Sequence, residues 1–99
     1  MRLNQFEIDT INTLARKHFG SGTRVFLFGS RIDDNKKGGD IDLFIKNNEN
    51  TLTIRARISF LAELKSIIGD QKIDVVFDNA STRLKTRFYH SITRRNIEL

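Results

Sequence analysis

Residues 25–45 read VFLFGSRIDDNKKGGDIDLFI, and the fold turns on how this stretch is divided. The apolar run Val25-Phe26-Leu27-Phe28 closes Thr23–Phe28, a short β-branched and aromatic stretch that suits a buried strand, and Gly29-Ser30 marks a tight turn at its end. A polar loop of nine residues follows, and then Asp40 and Asp42 stand two apart. A strand sends alternate side chains to opposite faces, so Asp40, Asp42 and Phe44 share one surface while Ile41, Leu43 and Ile45 share the other. Only eleven residues separate Phe28 from Asp40, fewer than a parallel crossover usually needs, so the two strands are expected to run antiparallel. One face packs and the other is left for chemistry.

Upstream, Asn4 and Glu7 have the spacing of a capping box, with Leu3 and Ile8 as a hydrophobic staple. Ile8, Ile11, Leu14, Ala15 and Phe19 continue at helical spacing up to Gly20. His18, near the end of that helix, reads as a partner of the helix dipole rather than a ligand. Downstream, residues 47–50 form a turn, and Ile54, Ile58, Leu61, Leu64 and Ile68 predict a long amphipathic helix stopped at Gly69. Lys72–Phe77 is a third strand, with Asp74, Val76 and Asp78 alternating against Ile73, Val75 and Phe77. A last helix is expected from Ala80, striped by Ala80, Leu84, Phe88 and Ile92, with Arg83, Arg87, His90 and Arg94 as a basic ridge. Asn96 is expected to end it in the left-handed conformation, and Ile97-Glu98-Leu99 to add a short edge strand.

With 99 residues, no proline and no linker or repeat, the sequence predicts a single domain over residues 1–99. Eight phenylalanines and 38% hydrophobic residues provide for a core, while 29% charged residues of both signs fit a globular surface. The absence of cysteine excludes disulfides and thiolate metal sites. No long apolar run predicts a membrane span, and the first residues lack the apolar core of a signal peptide, so a cytoplasmic protein is expected. A net charge of +5 suits an anionic partner, whether nucleotide, nucleic acid or acidic protein.

If the strands bearing Asp40, Asp42 and Asp74 are neighbours, their carboxylates converge on the face away from the helices. Two such charges about 4 Å apart repel by roughly 4 kcal/mol at an effective dielectric of 20, so cations are the natural compensation. Oxygen-only donors select a hard ion, Mg²⁺ or Mn²⁺, over Zn²⁺. Paired ions of this kind clamp the oxygens of an in-line phosphoryl displacement, which directs attention to a nucleoside triphosphate. Gly29 lets the backbone approach its phosphates, the Ser30 hydroxyl donates to them, and Arg31, Lys36 and Lys37 add charge. Each element alone has a plainer reading: a solvated Asp-x-Asp face, a turn glycine, a solvated basic ridge. Their coupling points to one site. Neither G-x-G-x-x-G nor G-K-[ST] is present, which excludes Rossmann and Walker A readings.

Gly29-Ser30, then Asp40-x-Asp42, then Asp74 on an Ile73-Asp74-Val75-Val76-Phe77 strand resembles the minimal nucleotidyltransferase domains of the DNA polymerase beta superfamily, from the first helix through Phe77. The resemblance implies an α+β (α/β) fold: a small mixed sheet with helices packed on one face and a metal site on the open one. It also implies Mg²⁺-dependent transfer of a nucleoside monophosphate, AMP from ATP, to an acceptor hydroxyl with release of pyrophosphate. Asp40, Asp42 and Asp74 would hold two metal ions (Mg²⁺ or Mn²⁺), and Gly29, Ser30 and Arg31 the nucleotide. Small members of that superfamily accompany helical HEPN proteins, in several cases as antitoxins that adenylylate a toxic ribonuclease. The acceptor half is therefore expected from a HEPN-type partner, a second copy of the chain, or the acceptor itself. Two other readings stand beside this one: an antitoxin acting by binding alone, and a nucleic-acid binder using the basic last helix.

Overall fold

The computed structural model describes residues 1–99. The elements follow in the order α1 (Gln5–Phe19), β1 (Arg24–Phe28), β2 (Ile41–Lys46), α2 (Ile54–Ile68), β3 (Ile73–Phe77), α3 (Ala80–Leu84), α4 (Thr86–Arg94) and β4 (Ile97–Glu98). One mixed sheet has the order β3-β2-β1-β4. β2 is antiparallel to β1, as the short connection requires, while α2 carries the chain across to β3, parallel to β2.

Local chemistry accounts for most boundaries. Asn4 Oδ1 accepts from the Glu7 amide at 2.8 Å and Glu7 Oε1 accepts from the Asn4 amide at 3.0 Å, so the predicted capping box forms. Thr53 caps α2 by accepting from the Ala56 amide at 3.1 Å, and α1 and α2 end at Gly20 and Gly69. Alternation sends Val25 and Leu27, then Ile41, Leu43 and Ile45, then Ile73, Val75 and Phe77 to one face, where all are buried under α1 and α2. Phe19 joins the two layers, its ring 5.2 Å from Phe60 and 5.5 Å from Phe77. His18 is taken up by Glu63 of α2, 2.8 Å away.

Three expectations need correction. The buried face of α2 is set by Phe60 and Leu64, with Ala56, Leu61 and Ile68 beside them, whereas Ile54 and Ile58 are 67% and 63% exposed. At about 100° per residue these two isoleucines stand roughly 80° and 120° from Leu64, and the large Phe60 ring fixes the helix phase instead. The last helix is broken: Lys85 (φ −84°, ψ 71°) separates α3 from α4, and of the predicted stripe only Ile92 is buried. The break lets α4 turn its aromatic residues onto the second face of the sheet, where Phe88 meets Phe28 and Tyr89 meets Phe44. Helices α1 and α2 thus occupy one face, and α4 covers part of the other. Asn96 is not left-handed, since no residue other than glycine has positive φ; its side chain donates to the Ile92 carbonyl at 2.8 Å. The predicted edge strand forms as β4, with Ile97 opposite Leu27 and Glu98 opposite Phe26.

Candidate active site

The parallel register of β2 and β3 sets Asp42 directly beside Asp74, while Asp40 stands just before β2. One carboxylate oxygen from each of the three lies within 4.8 Å of the others. Burial pushes the Asp42 carboxyl up to about 6, and the charges of Asp74 and Asp40 push in the same direction. Lys72 opposes this shift; its Nζ is 3.4 Å from Asp40 Oδ2. The sheet therefore carries an acidic cluster whose own cation is a single exposed lysine side chain.

β1 runs antiparallel beside β2 so that Phe28 faces Asp42 in register, and the next residue, Gly29, begins a 3₁₀ turn over Gly29–Ile32. Gly29 has φ +78°, and a Cβ there would lie 2.2 Å from Asp42 Oδ2. Glycine is required both for the backbone conformation and for the space that Asp42 occupies. Across the loop, Gly39 (φ +89°) does the same for Ser30, whose Oγ would be 2.3 Å from a Cβ at that position. The two glycines pack the Gly-Ser turn and the Asp40–Asp42 segment against each other, which is how residues ten positions apart share one site.

The sequence pattern missed what holds this turn. Arg2 Nη2 donates to the Ser30 carbonyl at 3.0 Å and Arg2 Nε to the Asp33 carbonyl at 2.9 Å, while the Arg2 amide donates to the Arg31 carbonyl at 2.7 Å. Arg31 is committed in turn to Gly39 O, Arg2 O and Gln71 Oε1 at 3.3, 3.0 and 3.2 Å. Gln71 passes the link on to Glu7 Oε2 at 3.0 Å. The acidic loop residues are also occupied: Asp33 closes a local turn with the Asn35 amide, and Asp34 holds the terminal ammonium. Lys36 and Lys37 are exposed on the same loop. Arg2, Gln71 and Lys72 belong to no recognisable spacing, because each acts through a contact that only the folded chain creates.

The family model described as Polymerase beta, Nucleotidyltransferase matches residues 9–99. The chain belongs to this family. No curated protein matches it. Membership fixes the general activity, nucleotidyl transfer, and the fold expected from the Gly-Ser and aspartate pattern is the one observed. The family is typically dependent on divalent metal, and the donor set fits such ions: oxygens only, convergent, and mutually repulsive without a cation. A concavity of about 520 Å³ in this nucleotidyltransferase lies elsewhere, beyond the far ends of β2 and β3, where Asn47, Asn48, Asp78 and Asn79 line it. The carboxylates stand at the opposite strand ends. No helix is long and apolar enough to cross a membrane.

Proposed function

We propose that the chain transfers AMP from ATP to a hydroxyl on a partner protein, a HEPN-type helical toxin, and so acts as its antitoxin. The observation that carries the transfer is the convergence of Asp40, Asp42 and Asp74 beside Gly29-Ser30 in a chain of this family. The protein target rests on the resemblance of the motif to small partner-associated members.

Asp40 and Asp42 would hold both divalent ions, Mg²⁺ or Mn²⁺, and Asp74 would complete the site of one of them. Bound there, such ions neutralise phosphate oxygens and the charge that develops on them during displacement. The chain's own groups do the remaining work. The Ser30 hydroxyl and the turn amides take the triphosphate, Lys36 and Lys37 draw it in, and Arg31 holds the turn that receives it. Asp74 takes or orients the proton of the acceptor hydroxyl as its oxygen attacks the α-phosphorus; the α–β phosphoanhydride breaks and pyrophosphate leaves. Asp74 is exposed and Asp40 and Asp42 are half-buried, so the cluster is accessible to an acceptor carried by another molecule.

The test is to incubate the chain with labelled ATP, Mg²⁺ and the helical protein encoded beside it, one carrying an Arg-x4-His-x-Tyr motif. Label should pass to that protein and be lost in an Asp40→Ala, Asp42→Ala double variant. Absence of transfer, or transfer equal in the double variant, overturns the reading. Neutralisation of the toxin in cells by the double variant would favour binding alone.

A further inference from the structure

The second face of the sheet carries three phenylalanine rings besides the carboxylates, Phe26, Phe28 and Phe44, and their surroundings differ. Phe44 is 3% exposed beneath Tyr89. Phe26 is flanked by cations, with the Arg24 guanidinium 5.2 Å and Lys46 Nζ 5.4 Å from its centroid. Phe28 is different because the strand register places it opposite Asp42, one residue before the Gly-Ser turn. Cross-strand neighbours on one face have Cβ atoms about 5 Å apart, so the Phe28 ring borders the acidic cluster. Phe88, delivered by α4, meets Phe28 edge to face, with centroids 6.2 Å apart and planes at 78°, and remains 40% exposed.

We propose that Phe88, braced on Phe28, is the platform on which the base of the nucleoside triphosphate stacks. The inference rests on the nucleotidyltransferase reading and adds to it the site for the base. Other apolar side chains are more exposed than Phe88, Phe6 at 60% and Leu84 at 83%. What sets Phe88 apart is its contact with Phe28, the register neighbour of Asp42, which gives a nucleotide with its phosphates at the acidic cluster an aromatic face near by. Arg87, adjacent to Phe88, is exposed and makes no ion pair, and Lys85, Arg94 and Arg95 are likewise unpaired. Arg87 and Lys85, the nearest of these in the chain, thus leave positive charge free on the helix that carries Phe88, as suits an anionic ligand. Stacking reads the π-face and not the hydrogen-bonding edge, so the platform accepts every base and holds purines more firmly than pyrimidines.

The test is calorimetric binding of ATP and, separately, of inorganic tripolyphosphate, each with excess Mg²⁺. Wild type should bind ATP more tightly than tripolyphosphate. Phe88→Leu, which keeps apolar packing without an aromatic face, should weaken ATP about tenfold and leave tripolyphosphate unchanged, and Phe88→Trp should keep the wild-type affinities. Unchanged ATP affinity in Phe88→Leu, or equal weakening of both ligands, overturns the platform. Equal affinity of the wild type for the two ligands also overturns it while leaving the nucleotidyltransferase reading intact, and binding of neither removes both.

Discussion

At Gly29 a single missing methyl group leaves the space that the Asp42 carboxylate occupies, because a Cβ would sit 2.2 Å from Asp42 Oδ2 and force that side chain to shift. Gly38 also has positive φ, +65°, yet nothing lies within 4 Å of its Cβ position. Gly29→Ala and Gly38→Ala therefore share a backbone penalty of about 1 kcal/mol, and only the first displaces Asp42. Titration with Mn²⁺ should find binding lost in Gly29→Ala and nearly unchanged in Gly38→Ala. Asp42 itself makes a second prediction. Its carboxyl lies at about 6 against an ordinary value of 3.8, chiefly through burial and then through Asp74 and Asp40. The folded chain holds that proton more tightly than the unfolded one, so the stability it contributes is complete below about pH 4 and is lost as pH rises through about 6. Asp42→Asn imitates the protonated form. In EDTA at pH 7.5 it should raise stability by about 1 kcal/mol after solvent screening, or about 4 °C in melting temperature, and the gain should vanish near pH 4.

Among the elements, those with local causes were legible. The Asn4–Glu7 box, the turn at Gly29-Ser30 and the alternation in β2 and β3 are written in adjacent residues, and all three appear as read. The convergence of Asp40, Asp42 and Asp74 was legible too, given that β2 and β3 are neighbours. What escaped depends on distant partners. The phase of α2 follows from Phe60 packing on Phe19, and the break at Lys85 from the sheet face that Phe88 and Tyr89 must meet. The apolar spacing of either helix contains no such information. The Arg2 clasp is of the same kind, joining residues 28 and 31 positions apart. Two side-chain hydrogen bonds at about 1 kcal/mol each hold the Gly-Ser turn to the N-terminal segment. Arg2→Ala should therefore speed amide hydrogen exchange over residues 30–39 while leaving the middle of α1 protected, and should weaken ATP binding without touching the carboxylates. Unaltered exchange in the loop would show that the glycine contacts alone suffice.

For the whole molecule, the acidic cluster joins two strands that are neighbours only because α2 has carried the chain across the sheet: Asp40 and Asp42 come with β2, Asp74 with β3. Unfolding disperses them, so a divalent ion that needs all three binds the folded chain alone, and its binding free energy adds to global stability. The repulsion of Asp74 and Asp40, which adds to burial in raising the Asp42 carboxyl, is the strain that such an ion relieves. Lys72, exposed and 3.4 Å from Asp40, compensates only part of it. At a hundredfold excess over Kd the linkage amounts to about 2.7 kcal/mol, which for a domain of this size is at least about 10 °C in melting temperature. Thermal melts with and without Mn²⁺ or Mg²⁺ should show that rise in the wild type. Asp74→Asn, which leaves β2 with only its own two carboxylates, should lose most of it even though the variant is no less stable in EDTA. A full metal-induced rise in Asp74→Asn would mean that Asp40 and Asp42 suffice for the ion, and that β3 contributes to the sheet but not to the site.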